Sequence, residues 1–486
     1  MIDVCLILEG TYPYVAGGVS TWVHQLITSM KDIRFGIVYI APNSDPTRKL
    51  KYEIPNHVLY LKEIYLHDYN FEQRAKRNPK QRDFEQIKTT YEGFGQKKYT
   101  GCEALVRCFQ GEESCFDANN IFSSLEIWKL MLLFYEKRGE DISFLDYFWT
   151  WRGIHLPLMQ VLQSEIPFAR IYHSVSTGYA GLVGAIAKMV HRGKYFLTEH
   201  GIYTHERMLE ISQASWIYEK EMRRYRAERE LSFFKQWWVT SFRVLSHIAY
   251  AYADNIFTLF EGNKMREVLE GADPKKVTII PNGIETKKFA DFKKEKKPNP
   301  QIGLIGRVVS IKDIKTFIQA AKMVLTKFPD AQFYILGPWT EEEEYYEECR
   351  SLIEALHLEQ KIVFTGPVDV PDYLKFLDLV VLTSLSEAQP YVILEAGIVG
   401  IPMVTTDVGA CREMLEGRGH EDRLLGRSGL VTEVANPNAT AEAIVRLLTD
   451  KNLYAQCSQA GIERARRYYD IDDLLSSYLN FYEQNL

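Results

Sequence analysis

Several features that mark common protein classes are missing from this 486-residue sequence. No run of about 18 uncharged apolar residues is present, so we expect no membrane-spanning helix. The opening residues, MIDVCLILEG, contain no basic segment before the apolar run, so we expect no secretory signal. Positive charge is not in excess, since 58 Lys and Arg face 64 Asp and Glu, which disfavours a broad nucleic-acid-binding face. We therefore expect a cytoplasmic protein with no nucleic-acid partner.

Cysteine is sparse, and the acidic strings do not follow strands. The seven cysteines form no C-x-x-C pair, which argues against a disulfide framework and a common zinc site. Cys102, Cys108 and Cys115 form the one local cluster, and we expect no metal there. The string at 470–473 resembles a D-x-D metal motif, but it begins the last predicted helix, where acids cap and complement the helix dipole. We predict that the protein binds no metal.

The G-x-G-x-x-G fingerprint of dinucleotide-binding proteins is also missing, which disfavours an NAD-linked oxidoreductase. The first strand-to-helix turn carries Gly17 and Gly18 instead. Glycines let a ligand approach the backbone, and the free N–H groups of a helix start attract anions. A tight turn also requires glycine, so this pair alone does not decide between the two interpretations.

Short apolar runs that alternate with amphipathic segments dominate the rest of the chain. Apolar runs at 3–8 and 35–40 flank a segment at 17–30 whose apolar residues recur every three or four positions, which predicts strand, helix, strand. Continuous apolar strands indicate a parallel sheet covered on both faces. The alternation fails from about 45 to 145, where we expect an insertion.

A second alternation follows the lysine- and proline-rich segment 291–300. We therefore predict an α/β protein of two doubly wound, Rossmann-like domains that face a central cleft. The acceptor-side domain would cover 1–290 and the nucleotide-sugar domain 291–467, with a last helix at 468–486 packing back on the first domain. Open α/β sheets bind ligands at the carboxyl ends of their strands.

Two pairs of charged residues follow predicted strands of the second domain. Arg307 and Lys312 follow the first strand, and two cations there suit a diphosphate, although an ordinary surface turn is the alternative. Glu387 and Glu395 follow a later strand with the spacing E-x7-E. A carboxylate so placed can accept two hydrogen bonds from a vicinal diol, but two glutamates at this spacing also occur by chance.

These motifs resemble the donor-binding domain of retaining GT-B glycosyltransferases of family four. The resemblance covers nearly all of 277–467 and, more loosely, 1–40 and 165–260. It implies that the second domain binds a nucleotide sugar and that the G-R…K pair holds the diphosphate. The implied donor contacts are the diphosphate with Arg307 and Lys312, the ribose with Glu395, the sugar with Glu387, and the uracil near Gly366 and Val368.

Further site residues follow from the same resemblance. The IPNGI segment at 280–284 matches a family signature and places Asn282 toward the cleft. His200, at the end of the strand YFLT, matches the histidine that hydrogen-bonds the donor sugar, with a purely structural histidine as the alternative. The helix start at Gly17 and Gly18 would assist the diphosphate.

One departure from the family pattern bears on the choice of donor. The family usually has Glu-Gly-Phe-Gly where this chain has Glu-Ala-Gln-Pro at 387–390. Proline has no N–H group, so hydrogen bonds to the donor must come from the Gln389 amide, Tyr391 or Val392. The identity of the transferred sugar is therefore left open.

The segments DVCLILEGTYPYVAGGVSTWVH, TEHGIYTHER and SEAQPYVILEAG carry a closer resemblance, to the cytoplasmic glycosyltransferases of bacterial Pel exopolysaccharide synthesis, a biofilm polysaccharide. This resemblance implies a UDP-sugar donor and membrane-bound polysaccharide synthase subunits as partners, with recruitment to the inner face of the membrane. The charged and aromatic segment 214–238 is either a half-exposed helix or a docking surface for such a partner.

The expected function is metal-independent, retaining transfer of a hexose or N-acetylhexosamine from a UDP-sugar to a glycan acceptor, without a cofactor. Alternatives of the same fold are a nucleotide-sugar epimerase and a glycan phosphorylase. A non-catalytic sugar-nucleotide-binding subunit of a synthase complex is a further alternative. The joint presence of Arg307, Lys312, Glu387 and Glu395 argues against that last interpretation.

Overall fold

The computed structural model describes residues 1–68, 75–136, 142–214, 217 and 231–486. The chain divides into two units. The first comprises 1–258, 264–279 and 478–486, and the second comprises 259–263 and 280–477.

The boundary between the units falls before residue 280, ahead of the lysine-rich segment at which we expected it. Ile284 explains this position, because its backbone N–H donates to Tyr469 O at 2.8 Å and its carbonyl accepts from Ile471 N–H at 3.0 Å. These bonds hold the IPNGI segment against the end of the chain within the second unit.

The described strands of the first unit form one parallel seven-stranded sheet in the order β3-β2-β1-β4-β5-β6-β7. This order contains the 3-2-1-4-5-6 arrangement of Rossmann-like sheets. The strands are β1 (Ile2–Glu9), β2 (Phe35–Ala41), β3 (Val58–Tyr65), β4 (Ala169–Ser174), β5 (Lys194–Glu199), β6 (Asn255–Thr258) and β7 (Val277–Ile279). Strands β1 and β2 are buried along almost their whole length, as their continuous apolar sequences predict.

Strand β3 lies inside the stretch that we interpreted as an insertion, 45–145. It pairs with β2 at the edge of the sheet, and Leu59 and Leu61 on it are exposed. Because an edge strand needs no continuous apolar run, its sequence VLYLKEIY gave no buried-strand signal. The described part of this stretch after residue 80 is mainly helical, and the last of its helices ends at Gln163.

The helices of the first unit pack on this sheet and on one another. They are α1 (Gly18–Ser29), α2 (Gln81–Gly95), α3 (Glu103–Phe109), α4 (Ala118–Ser123), α5 (Leu125–Glu136), α6 (Phe144–Gln163), α7 (Tyr179–His191), α8 (Tyr203–Gln213) and α9 (Phe233–Tyr252). Helix α7 is almost wholly buried. A Cβ at Gly184 would lie 2.3 Å from the ring of Tyr195, so glycine allows this helix to pack closely on β5.

The second unit contains a parallel six-stranded sheet in the order β10-β9-β8-β11-β12-β13, again the Rossmann order. Its strands are β8 (Gln301–Ile305), β9 (Gln332–Leu336), β10 (Ile362–Gly366), β11 (Leu379–Leu382), β12 (Met403–Thr406) and β13 (Gly429–Thr432). The two sheets establish the predicted α/β class of two Rossmann-like domains.

The connecting helices of the second unit follow the predicted alternation, and helices α10 and α19 contribute residues to both units. The helices are α10 (Glu261–Leu269), α11 (Ile314–Val324), α12 (Glu343–Ala355), α13 (Val370–Leu374), α14 (Tyr391–Ile398), α15 (Cys411–Glu416), α16 (His420–Arg423), α17 (Pro437–Thr449), α18 (Lys451–Tyr468) and α19 (Ile471–Glu483).

A buried ion pair fixes the loops around α15 and α16. Arg464 Nε donates to Asp422 Oδ1 at 2.6 Å, and both side chains are almost completely inaccessible. The same guanidinium donates to the carbonyl oxygens of Leu415 at 2.8 Å and Gly426 at 2.7 Å. Arg464 therefore neutralises the buried charge of Asp422 and donates hydrogen bonds to buried oxygen atoms of the connecting segments.

Two further observations bear on the predictions. The described residues contain no helix long and apolar enough to cross a membrane. At the end of the chain, the Tyr482 hydroxyl lies 2.6 Å from His173 Nδ1, within the first unit.

Candidate functional site

The predicted diphosphate and sugar residues lie at the switch point of the second sheet. There, strands β8 and β11 are neighbours, and the connections leave them in opposite directions. Arg307 follows β8, and the segment containing Glu387 follows β11. In open α/β sheets this position is the usual ligand crevice.

Lys312 and Glu387, to which we assigned separate roles, form an ion pair. A short 3-10 turn, Ser310–Lys312, ends at the lysine, and its Nζ lies 2.5 Å from Glu387 Oε1. The hydroxyl of Ser384 donates to the same oxygen at 2.6 Å. The two charged side chains are only 17% and 12% exposed, so solvent screens the pair weakly.

Arg307 pairs with Glu341, a residue that the sequence analysis missed. Its Nη1 lies 2.5 and 2.6 Å from the two carboxylate oxygens, and both side chains are 55% exposed. Glu341 belongs to the loop between β9 and α12, where no motif marks it. An incoming diphosphate would therefore compete with Glu341 for this guanidinium.

Within the part of the chain that the structure describes, Glu395 presents a carboxylate without a protein partner. It lies in α14, and among the described residues none donates a hydrogen bond to its side chain. Burial raises the pKa of this carboxyl group above its ordinary value. A half-buried, unpaired carboxylate is well suited to accept hydrogen bonds from two neighbouring hydroxyl groups.

The backbone N–H groups of Tyr391 and Val392 lie in the first turn of α14, directly after Pro390. N–H groups in a first helical turn have no acceptor within the helix. The two groups thus have no acceptor within the helix, and their donation to a ligand stays a prediction.

Gln389 and Asn282 contact each other within the second unit. The backbone N–H of Asn282 donates to Gln389 Oε1 at 2.5 Å, and both residues are buried. The Gln389 oxygen is thus occupied, and its NH2 group is the part of the amide that can donate elsewhere. Among the described residues, the Asn282 side-chain oxygen has no hydrogen-bond partner.

The predicted uracil loop packs on an aromatic residue that the sequence analysis did not single out. Gly366 has φ +71°, and a Cβ there would lie 3.2 Å from the ring of Trp339. Trp339 stacks on Tyr346 with ring centroids 5.0 Å apart. Val368 lies two residues farther along the same loop.

Gly409 is a second residue that was missed. Its φ is +52°, and a Cβ would lie 2.1 Å from the carbonyl oxygen of Glu387. The N–H of the next residue, Ala410, donates to Ala388 O at 2.8 Å. Only glycine fits this position, which supports the backbone that carries Glu387.

In the first unit, His200 follows β5 and is buried. Its ring packs edge-on against Trp22, with centroids 4.7 Å apart. Burial lowers the pKa of the imidazole to about 4, so the ring is neutral at pH 7. A neutral imidazole can both donate and accept a hydrogen bond.

Glu199, next to His200, belongs to a buried polar network. Its carboxylate accepts from the Tyr250 hydroxyl at 2.6 Å and from the Tyr203 N–H at 2.9 Å, which anchors the start of α8. Glu267 is completely buried nearby. Burial raises the pKa of both groups above the usual carboxyl range, with added repulsion from Glu206 at Glu199 and from Glu199 at Glu267.

A cavity of about 760 Å³ opens beside His200 at the carboxyl ends of β1, β4 and β5. Tyr203 donates to Glu9 at 3.0 Å in its wall, and the Arg207 guanidinium lies over the Tyr203 ring at 5.2 Å. Glu206 and Arg207 line this cavity, whereas His205 is exposed outside the lining.

Gly17 and Gly18 lie where the sequence placed them, at the start of α1 in the first unit. Both are exposed, and no side chain caps this helix start. A Cβ at Gly17 would meet no atom of the described residues within 4 Å, so the backbone there leaves room for a ligand.

The docking surface that we considered at 214–238 falls largely on 215–216 and 218–230, which lie outside the described residues. Trp237 stacks on Tyr147 at 4.9 Å, and Trp238 packs 3.2 Å from the Cβ position of Gly153. Both tryptophans pack on the first unit with partly buried side chains, and the docking surface stays a prediction.

Among the described residues, Asp83, Cys108 and Cys115 have potential ligand atoms within 4.8 Å of one another. Arg77 donates to both oxygens of Asp83 at 2.6 and 2.9 Å and lowers the pKa of that carboxyl group to about 2. Burial raises the pKa of the Cys115 thiol to about 12, which disfavours the thiolate that a metal requires. A guanidinium at the carboxylate also opposes a second cation. The cluster thus has a structural explanation, and the absence of a metal stays a prediction.

Comparison with protein families accounts for most of the chain. Residues 2–275 match the family described as Domain of unknown function (DUF3492). Residues 285–464 match the family Glycosyl transferases group 1. The second match contains the motifs from Arg307 to Glu395.

Curated relatives match part of the chain. The lipopolysaccharide core biosynthesis mannosyltransferase LpsB of Rhizobium meliloti is 28% identical over 217 residues, which are 42% of this chain and 60% of that protein. The UDP-Gal:alpha-D-GlcNAc-diphosphoundecaprenol alpha-1,3-galactosyltransferase of Escherichia coli is 27% identical over 37% of this chain and 47% of its own length. The chain thus spans about half the length of these relatives.

Solved structures share the fold along the whole chain. HepE of Anabaena, solved in complex with UDP, has a TM-score of 0.61 at 15% identity and covers 99% of this chain and 100% of its own. Sucrose-phosphate synthase of Thermosynechococcus elongatus has a TM-score of 0.58 at 15% identity, covering 99% and 98%. These likenesses confirm the predicted GT-B fold class.

Proposed function

The chain belongs to the DUF3492 family and carries a group 1 glycosyl transferase domain, and from this premise we propose that it is a retaining, UDP-sugar-dependent glycosyltransferase. It would transfer a hexose or N-acetylhexosamine to a glycan acceptor. The observation that carries the proposal is the unpaired carboxylate of Glu395 at the same sheet edge as Arg307 and Lys312.

The nucleotide would bind to the second unit. Glu395 would accept hydrogen bonds from the two ribose hydroxyls, and the loop of Gly366 and Val368 would contact the uracil. The use of UDP is supported by HepE, a neighbour of the same fold whose crystal complexes contain UDP and UDP-glucose.

Arg307 and Lys312 would stabilise the negative charge that grows on the diphosphate as the sugar leaves. Fixed positive charges at a leaving group typically supply much of the rate enhancement in such catalysis, and they can act without a metal ion. Both cations are engaged by carboxylates, Glu341 and Glu387. Donor binding would therefore exchange Glu341 for phosphate oxygens at Arg307.

The sugar would be oriented by Glu387, by the amide of Gln389 and by the N–H groups of Tyr391 and Val392. For His200, Asn282, Gly17 and Gly18 we retain the donor contacts that the family resemblance implies. The leaving phosphate would take the proton of the attacking acceptor hydroxyl on the same face, and we assign no protein nucleophile.

We further propose that the cavity of about 760 Å³ in the first unit binds the glycan acceptor. Its wall offers carboxylate, guanidinium and hydroxyl groups beside aromatic rings, a mixture that suits carbohydrate hydroxyls and sugar faces. His200 and Arg207 contribute to this lining.

The finer assignment is that the enzyme is PelF-like and acts in Pel-type exopolysaccharide synthesis and biofilm formation. The motifs around Gly17, His200 and Glu387 support it. We propose a cytoplasmic enzyme that works with membrane-bound polysaccharide synthase subunits at the inner face of the membrane. The sugars named for the relatives differ from one another, so the donor sugar is not taken from them.

Product analysis tests the proposed reaction. The protein is incubated in chelator with UDP-hexoses and UDP-N-acetylhexosamines, with and without acceptor oligosaccharides, and the anomeric configuration of the product is read by NMR. We expect acceptor-dependent transfer with retention, which Arg307→Ala abolishes.

The same assay separates the alternatives. An epimerase would change the UDP-sugar without an acceptor, and a phosphorylase would require inorganic phosphate. A binding subunit would bind UDP and form no product with any acceptor, which would contradict the proposed activity.

A further inference from the structure

A second cavity of about 380 Å³ lies among the helices of the first unit and shares no lining residue with the cavity beside His200. It is lined by residues of α2 to α7 and of α9. Its lining residues include Phe94, Val106, Met131, Trp151 and Ile186. The proposed transferase site uses none of these residues.

The lining of this cavity carries no charged side chain, and all lining residues are described. His155 is its one ionisable nitrogen base, and burial lowers the pKa of that imidazole to about 4, so it is neutral. Its Nδ1 lies 2.6 Å from the carbonyl oxygen of Trp151, which satisfies the N–H within the same helix. Water would find few partners there, because a stable buried water needs two to four hydrogen bonds.

The volume suits a hydrocarbon. An apolar cavity of roughly 150 Å³ stays dry and takes up a benzene molecule, so 380 Å³ corresponds to on the order of fifteen carbon atoms. Protein interiors otherwise pack to the density of organic crystals, with few voids larger than a water molecule. A cavity of this size, with such a lining, indicates a ligand rather than imperfect packing.

The opening of the cavity is marked by its two exposed lining residues, Gly95 at the end of α2 and Thr240 on α9. Cationic residues stand next to each of them in the sequence. Lys97 and Lys98 follow Gly95, and Arg243 lies one helical turn after Thr240; all three are exposed.

Arg243 and Lys97 both influence the pKa of one imidazole ring, that of His247. Both Arg243 and Lys97 lower the pKa of this imidazole, while Glu270 opposes them. Tyr99, which follows Lys98, stacks on the same ring at 4.4 Å. Arg243 lies one helical turn before His247, and Lys97 lies two residues before Tyr99, so the stacked rings bring both cationic residues to the same side of the first unit, where they would attract an anion.

We propose that this cavity binds the hydrocarbon chain of an anionic amphiphile, with its negatively charged head group between Lys97 and Arg243. The chain would run inward from Gly95 and Thr240. This site is independent of the transferase site, so its test does not depend on the proposed reaction.

Calorimetric titration of delipidated full-length protein with octanoate, dodecanoate and hexadecanoate tests the proposal. We expect one site whose affinity rises about fourfold per added methylene until the chain fills the cavity. Dodecyltrimethylammonium, with the same chain and a cationic head, should bind at least about tenfold more weakly than dodecanoate. Absence of saturable binding by any carboxylate, or equal binding of the cationic amphiphile, would overturn the proposal.

Variants separate binding in the cavity from adsorption to the surface. Val244→Trp fills the α9 wall and should weaken hexadecanoate binding at least about a hundredfold. Because this substitution can also disturb the fold, Arg243→Glu at the exposed opening provides a second variant, with an expected loss of about threefold to tenfold. Lys31→Glu reverses an exposed charge outside both cavities and is the matched control, which should bind hexadecanoate as tightly as wild type does. Wild-type affinity in both test variants would exclude this cavity.

Two further measurements identify the molecule that supplies the hydrocarbon chain. Mass spectrometry of lipids extracted from freshly purified protein distinguishes a free fatty acid from a phospholipid. Flotation with phosphatidylglycerol and phosphatidylethanolamine vesicles shows whether a membrane lipid can supply the chain. Recovery of a fatty acid or an anionic phospholipid from wild type but not from Val244→Trp supports the proposal. Equal recovery from both proteins contradicts it.

Discussion

Removal of the cation from the Lys312–Glu387 pair should destabilise the second unit in proportion to how deeply the pair is buried. The Lys312→Met variant keeps most of the side-chain volume and leaves Glu387 without its counter-ion. The Glu387 carboxylate would keep the hydrogen bond from the Ser384 hydroxyl, 2.6 Å away, and lose the bond from Lys312. The loss should therefore be mostly electrostatic.

The magnitude follows from the 17% and 12% exposure of the two side chains. Removing one partner of a fully buried pair costs about 3–5 kcal/mol, whereas exposed pairs contribute less than about 1 kcal/mol. With slight exposure and one remaining hydrogen bond, we expect Lys312→Met to cost about 2–3 kcal/mol. The double variant with Glu387→Gln contains no unpaired charge and should cost less than the sum of the single variants by about 1–2 kcal/mol.

Hydrogen exchange measured by mass spectrometry across a urea series reports on this unit, through peptides from 300–470. The three variants and the wild-type protein complete a double-mutant cycle. If the single losses add without coupling, or if Lys312→Met costs less than about 0.5 kcal/mol, the inferred pairing is wrong.

Three other perturbations follow from the structure. Glu341→Gln releases Arg307 from an exposed pair and should raise affinity for UDP by up to about fivefold in calorimetry; an unchanged or weaker affinity would contradict the competition. Arg464→Met leaves Asp422 buried and unpaired and should cost about 3–5 kcal/mol, seen as a lower urea midpoint of the second unit, whereas a loss under about 1 kcal/mol would contradict this role. The raised carboxyl pKa of Glu267 means that the folded state binds more protons than the unfolded state, whose carboxyl groups titrate near pH 4.3, so stability should fall as pH rises above that value. Glu267→Gln should remove part of this fall and raise Tm at about pH 8.5 by about 3–6 °C, and a pH dependence identical to wild type would refute the assignment.

The fold class was predictable because parallel strands that are buried on both faces leave continuous apolar runs. β1, β2, β8 and β11 show such runs, and amphipathic helices follow the strands. Strand β3 was not predicted because it is an edge strand. Its Leu59 and Leu61 are exposed, so its apolar residues do not mark one buried face. The helices α2 to α6 escaped for a different reason, since no strand lies between them and the alternation of strands and helices is absent there.

For the candidate site, sequence motifs located the ligand-binding edges but not the protein contacts within them. The positions of Arg307, Lys312 and Glu395 follow from strand ends and helix starts. That Arg307 contacts Glu341 depends on the path of the loop after β9, which no spacing records. Likewise, only the three-dimensional arrangement brings the Asn282 backbone to the Gln389 side chain, 107 positions away.

The central claim is that the second unit binds a uridine nucleotide through Glu395. Calorimetric titration with UDP in chelator, on wild type and Glu395→Ala, tests it most directly. We predict saturable, metal-free binding to wild type, weakened at least about thirtyfold in the variant because two hydrogen bonds to a carboxylate are lost. Equal affinity in the two proteins, or no binding of UDP to wild type, would contradict the account.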